Sequence, residues 1–156
     1  MSAYIQFFVR NGEAFLPISI YSRNNALYHY FDEYTPWGKI KPVTRPLLNK
    51  IRDDVNEDIL CHQKRYDRAK EMKEYVATMS NSMDEKMEWI ENIEATLGDC
   101  CEEIDKAEYV KHYLNFLDDI IESVEYEEHI DHKNYLYVGI EVGFPTSKNI
   151  KIRENK

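Results

Sequence analysis

An α+β fold follows from three observations: an alternating apolar hairpin near the start of the chain, a second alternating stretch near its end, and 85 intervening residues with one glycine and one proline. The first two predict a small antiparallel sheet of three or four strands, drawn from the N- and C-terminal parts. The third predicts a long antiparallel helical hairpin inserted between strands two and three. The expected organisation is a single domain of 156 residues, with residues 1–43 and 129–156 forming the sheet region, a short aromatic helix included, and residues 44–128 the hairpin.

Residues 3–9 place Ala3, Ile5, Phe7 and Val9 on one face and Tyr4, Gln6 and Phe8 on the other. Residues 14–21 repeat that period of two with Leu16, Ile18 and Ile20 against Phe15, Ser19 and Tyr21. Between them, Asn11-Gly12 supplies the two positive-φ positions of a type I′ turn, which predicts Ile5 opposite Ile18, Phe7 opposite Leu16, and Ala3 opposite Ile20. Pro17 cannot donate to a ladder, so this strand is expected at an edge or a bulge.

Asn24 and Asn25 can cap a short helix with Leu27, Tyr30, Phe31 and Tyr34 at helical spacing, stopped by Thr35-Pro36-Trp37-Gly38. Ten of the twenty aromatic residues precede position 38, which predicts a compact aromatic core there. Residues 39–43 read as a connector or short strand. Thr44 is the expected N-cap of the first long helix, with Pro46 tolerated in its first turn. Its coiled-coil-like seam is Leu48, Ile51, Val55, His62, Ala69, Met72, Val76 and Met79, widened by Ile59 and Tyr66.

The chain is expected to reverse at Ser80-Asn81-Ser82, with Ser82 and Glu85 as a capping box for the second helix. That helix carries Met83, Ile90, Ile93, Leu97, Cys100, Ile104, Ala107, Leu114, Leu117, Ile121 and Val124, and the stripe rotates past Lys111 to take in Val110. Gly98 costs about 1 kcal/mol relative to alanine inside a helix, so continuity through it is expected with a penalty or a kink. Residues 135–142 alternate as a third strand, residues 149–153 offer a fourth, and the tail, with Lys148, Lys151, Arg153 and Lys156, is basic.

Charge is unevenly placed. Residues 84–128 hold 16 acids and 3 bases, a balance of −13, while the remainder sums to +4. Such a block repels a phosphate backbone, so direct nucleic-acid binding is not expected, whereas a basic protein partner is. Asp84, Glu85, Glu88, Glu91, Asp99, Glu102 and Asp105 fall opposite the apolar seam and are the candidate partner-binding residues. The plain alternative for them is a solvated face that maintains solubility. Matching across the hairpin is expected to set Arg68 opposite Glu94 and Lys73 near Glu88.

A reversal at Asn81 would also bring Cys61 and His62 level with Cys101 and Cys100, a ligand set of the type zinc accepts. Neighbouring helical residues diverge by about 100°, which opposes a joint site, and cysteine often serves as a small buried hydrophobe. Glu127, Glu128, His129, Asp131 and His132 gather metal-capable groups at the expected helix end, without the order of a zinc-protease helix. No Gly-rich phosphate loop or nucleophile motif occurs, so neither catalysis nor a bound cofactor is expected. No apolar run reaches the roughly 20 residues of a membrane span, and three cysteines do not make a secreted disulfide framework, so the expected setting is cytoplasmic.

Together these features predict a non-enzymatic adaptor or inhibitor that presents an acidic hairpin to a protein partner. Its Asn, Ile, Lys and Tyr content suits a phage or mobile element of an AT-rich host. The alternatives are a metal or thiol-redox protein centred on His62 and Cys100, and a structural subunit that homodimerises through the hairpin.

Overall fold

The computed structural model describes residues 3–18 and 24–142, so the strand expected at residues 149–153, the basic tail and Ile20 lie outside the described residues. The α+β class holds: a four-stranded antiparallel sheet, one short helix and two long helices forming a hairpin. Strands β1 (Ala3–Asn11), β2 (Ala14–Ile18), β3 (Ile40–Pro42) and β4 (Leu136–Val142) pair in the order β2-β1-β4-β3. Helix α1 is Asn24–Phe31, α2 is Arg45–Thr78 and α3 is Met83–Val124. The connector at residues 39–43 thus supplies a strand, and the helical hairpin enters the chain between β3 and β4.

The first hairpin pairs in a register two residues away from the expected one: Phe7 faces Ile18 and Val9 faces Leu16. Asn11 stays in the ladder opposite Ala14, so Gly12-Glu13 forms the loop, with Gly12 at φ +64°. A slip of two preserves the face of every side chain, whereas a slip of one would invert them all. Hydrophobic patterning therefore leaves this error open, and the glycine's position in the turn decides it. Pro17 lies, as its missing N–H requires, on an edge strand.

The chain divides into two compact units, Met1–Asp54 with Tyr109–Lys156, and Val55–Glu108. In the first, the central strands β1 and β4 are buried on both sides: Ile5, Phe7, Val138 and Ile140 on one, Phe8 and Tyr137 on the other. Phe7 meets Phe31 of α1 edge-on at 5.1 Å and Tyr113 of α3 at 5.4 Å, so the expected aromatic core forms. On the opposite face Phe8, Ile40 and Tyr137 cluster with Phe15. Gly139 packs closely there: a Cβ would lie 3.3 Å from Ile40 Cγ2, so a larger residue would need Ile40 to shift by a few tenths of an ångström. Gln6, buried among these strands, donates from Nε2 to the carbonyls of Phe7 and Ile18, which satisfies its amide protons.

Thr44 caps α2, with the Leu47 N–H 3.4 Å from its Oγ1. Arg45 in the first turn of α2 grips α3 near its end: it donates to Asp118 at 3.1 Å and, through two nitrogens, to both carboxylate oxygens of Glu125 at 2.7 and 3.0 Å. Arg52 adds a second bond to Asp118. A planar guanidinium suits this forked arrangement better than an ammonium would. These bonds hold the Glu125 carboxyl below the usual carboxylate range.

In the Val55–Glu108 unit the helices continue, joined by residues 79–82. Ser82 caps α3 through the Glu85 N–H, and Glu85 accepts from the Asn81 side chain at 3.0 Å, a capping arrangement close to the expected box. Helix α3 runs unbroken past Gly98. Few residues are fully buried here: Val55, Val76, Cys100 and Ala107. Between them Ile59, His62, Tyr66, Ala69, Ile90, Ile93, Leu97 and Ile104 are only partly covered. Met83, expected in the seam, is 69% exposed because it occupies the first position of α3, where the opposing helix has already ended.

Candidate protein interface

All seven predicted acidic residues, Asp84, Glu85, Glu88, Glu91, Asp99, Glu102 and Asp105, are exposed. They fall in two groups along α3, residues 84–91 and 99–105, on the side away from the half-buried stripe of Ile90, Ile93, Leu97 and Cys100, which is why one helix can expose the acids and bury the apolar edge. Glu102 lies 3.4 Å from Lys106, and Glu85 is engaged by Asn81. Asp84, Glu88, Glu91, Asp99 and Asp105 make no ion pair among the described residues. Carboxylates so placed remain hydrated and free to attract a cationic surface.

Matching across the hairpin differs from expectation. Lys73 reaches Glu94 at 3.0 Å, six residues further along α3 than Glu88, and Arg68 is not the partner of Glu94. The edge of the α2 stripe differs as well: Lys73 is half-buried, while Met72, expected in the seam, is 54% exposed. Two adjacent helical positions point about 100° apart, so turning lysine inward turns methionine out.

The displaced methionine becomes part of a groove whose residues Met72, Val76, Met79 and Ile93 hydrophobic patterning assigned to the seam. Met72, Tyr75, Val76 and Met79 on α2 and Trp89, Asn92 and Ile93 on α3 line an open apolar depression of about 410 Å³. Tyr75 is 63% and Trp89 37% exposed. Five of the ten large exposed hydrophobics among the described residues, Met72, Tyr75, Met83, Met87 and Trp89, fall within residues 72–89. Concentration of this kind departs from the single, scattered exposed hydrophobics that are ordinary on a protein surface. A signal was present in the sequence: Tyr75 and Trp89 are large apolar residues with no place in either seam.

The cysteine level does not assemble. Cys61 and Cys101 are exposed and Cys100 is buried, all as free thiols. Among the described residues no three His, Cys, Asp or Glu side chains come together to hold a metal ion. The helical placement of the second candidate group also fails, since α3 stops at Val124, ahead of Glu127, Glu128, His129 and His132. Asp131 instead caps a short 3-10 turn, accepting from the Asn134 side chain at 2.7 Å and the Lys133 N–H at 3.1 Å, which lowers its carboxyl from the ordinary value.

A wider depression of about 880 Å³ lies in the sheet-bearing unit, lined by Arg10, Asn11, His129, Asp131, Asn134 and Tyr135 among others. Two of its charged groups are already engaged: Arg10 donates to Tyr137 Oη at 3.2 Å and to the Gly12 carbonyl, and Asp131 accepts from the Lys133 N–H and the Asn134 side chain. No nucleophile with an adjacent base occurs in it. Among the described residues no helix is long and apolar enough to cross a membrane. Comparison with family models, curated proteins and solved structures finds no match, so what supports a function is the surface of the chain itself.

Proposed function

We propose that this chain is a non-enzymatic protein-interaction module of the cytoplasm, an adaptor or inhibitor that offers its helical hairpin to a basic protein. The observation that carries this reading is the pairing, within residues 72–105, of an exposed apolar groove with a row of exposed carboxylates, most of which make no ion pair among the described residues. The two features have separate roles. Long-range attraction from the acidic row steers and orients the encounter, and burial of the apolar groups holds the complex once water is expelled. One concrete form is occlusion of a basic nucleic-acid-binding groove, with Glu88, Glu91 and Glu102 standing where phosphates would lie.

The test is capture of partners from native lysate by wild type and by Glu88→Lys/Glu91→Lys/Glu102→Lys, across a salt series. A specific partner retained by the wild type, released by charge reversal and weakened by salt is expected. Binding indifferent to both reversal and salt would remove the acidic row from the function.

A further inference from the structure

The groove on the hairpin has the geometry of a half-built helix interface. Met72, Tyr75, Val76 and Met79 follow one another at spacings of three, one and three residues, the i, i+3, i+4, i+7 pattern by which a helix presents one face to another helix. Trp89, Asn92 and Ile93 repeat the first part of that pattern on α3. Two ridges side by side, with the depression between them, are what a third helix packs into. The volume, about 410 Å³, lies in the range of sites that accept a few apolar side chains, and thioether-rich walls adapt to differing occupants.

Charge selects among the occupants. Residues 72–93 carry five carboxylates and two lysines, and Lys73 is already committed to Glu94. A second copy of the hairpin docked on this groove would bring like charge against like charge, whereas a helix with lysines or arginines flanking its apolar stripe meets Glu85 and Glu88, one turn before Trp89 and Asn92. We infer that the groove of Met72, Tyr75, Met79 and Trp89 is the seat of one basic amphipathic helix from a partner protein. The inference rests on the interaction-module reading above and specifies its anchor: affinity comes from the groove, and the acidic row supplies selection by sign.

The probe is a synthetic helix of about 18 residues with leucine on one face and lysine on the other, long enough to span five turns. It is titrated into the full chain carrying Trp37→Phe, which leaves Trp89 as the only indole. Saturable binding with a blue shift of Trp89 emission is expected, weakened on the order of tenfold or more by Met72→Lys/Tyr75→Lys. Both positions are more than half exposed, so this variant should keep the wild-type circular dichroism. A matched leucine–glutamate helix should bind on the order of tenfold more weakly than the lysine form.

If the groove variant binds the lysine helix as well as wild type does, the groove assignment is overturned. Loss of binding in Glu88→Lys/Glu91→Lys/Glu102→Lys alone would then leave the acidic-row reading standing without it. Equal binding of the glutamate helix overturns selection by charge. Light scattering that finds a dimer converted to monomer by Met72→Lys/Tyr75→Lys identifies the occupant as a second copy and overturns the basic-helix assignment.

Discussion

The two compact units hold their parts of the same helices in different ways. Within residues 109–124, α3 buries Val110, Leu114, Leu117, Ile121 and Val124, one or two in every turn. Within residues 83–108 it fully buries only Cys100 and Ala107 and leaves Ile90, Ile93, Leu97 and Ile104 half-covered. Two helices alone can each cover one stripe of the other, and a sheet or third helix is needed to cover the remainder. The Val55–Glu108 unit lacks such a layer among the described residues. The contrast teaches that incomplete burial belongs to a particular stretch of helix, and it is in that stretch that the exposed aromatics and methionines gather.

The strongest way to break the comparison is to cut one buried side chain from each unit. Leu114→Ala, at a fully buried position, is expected to lower stability by about 2–5 kcal/mol in urea titration. Val76→Ala should cost about 1–2 kcal/mol, from the two methyl groups lost and a surround that can collapse. Equal losses would mean that the hairpin unit is packed as tightly as the sheet-bearing one.

Gly98 sharpens the comparison in the opposite direction. Nothing lies within 4 Å of where its Cβ would be, so Gly98→Ala should raise the denaturation midpoint, by up to about 1 kcal/mol in stability, without touching the groove. A loss instead would point to tighter packing around that residue than the open space allows.

The smallest effect concerns pH. Glu125 is held below its ordinary value by Arg45, so its contribution is present above the unfolded carboxylate pKa and disappears as pH falls through the folded one. The melting temperature of Glu125→Gln should therefore trail wild type most at neutral pH and converge with it in acid. A gap that stays constant with pH would exclude the ion pair as its source. The corresponding pair in the hairpin unit, Lys73 with Glu94, is about half exposed on both sides, so Glu94→Gln should cost at most about 1 kcal/mol.

Much of this architecture was legible in the residues. Alternation marked β1, β2 and β4, Thr44 and Ser82 announced both long helices, Pro17 marked an edge, and the stripe's drift past Lys111 to Val110 follows from 3.6 residues per turn against a seven-residue repeat. What could not be read was phase. The hairpin register slipped by two because faces repeat every two residues, and the α2 seam took Met72 because a stripe wider than one residue does not say which neighbour turns inward. The exposed acids were identifiable as charge opposite an apolar edge. The groove was not, because four of its residues, Met72, Val76, Met79 and Ile93, were already assigned to the core.

Hydrogen exchange of the full chain, with and without the leucine–lysine helix, tests the central claim directly. Added protection is expected at Met72, Tyr75, Val76 and Met79 and at Trp89, Asn92 and Ile93, with β1 and β4 unchanged. Protection confined to the depression around Arg10, Asn11 and Tyr135, or none anywhere, would contradict the assignment of the hairpin as the binding surface.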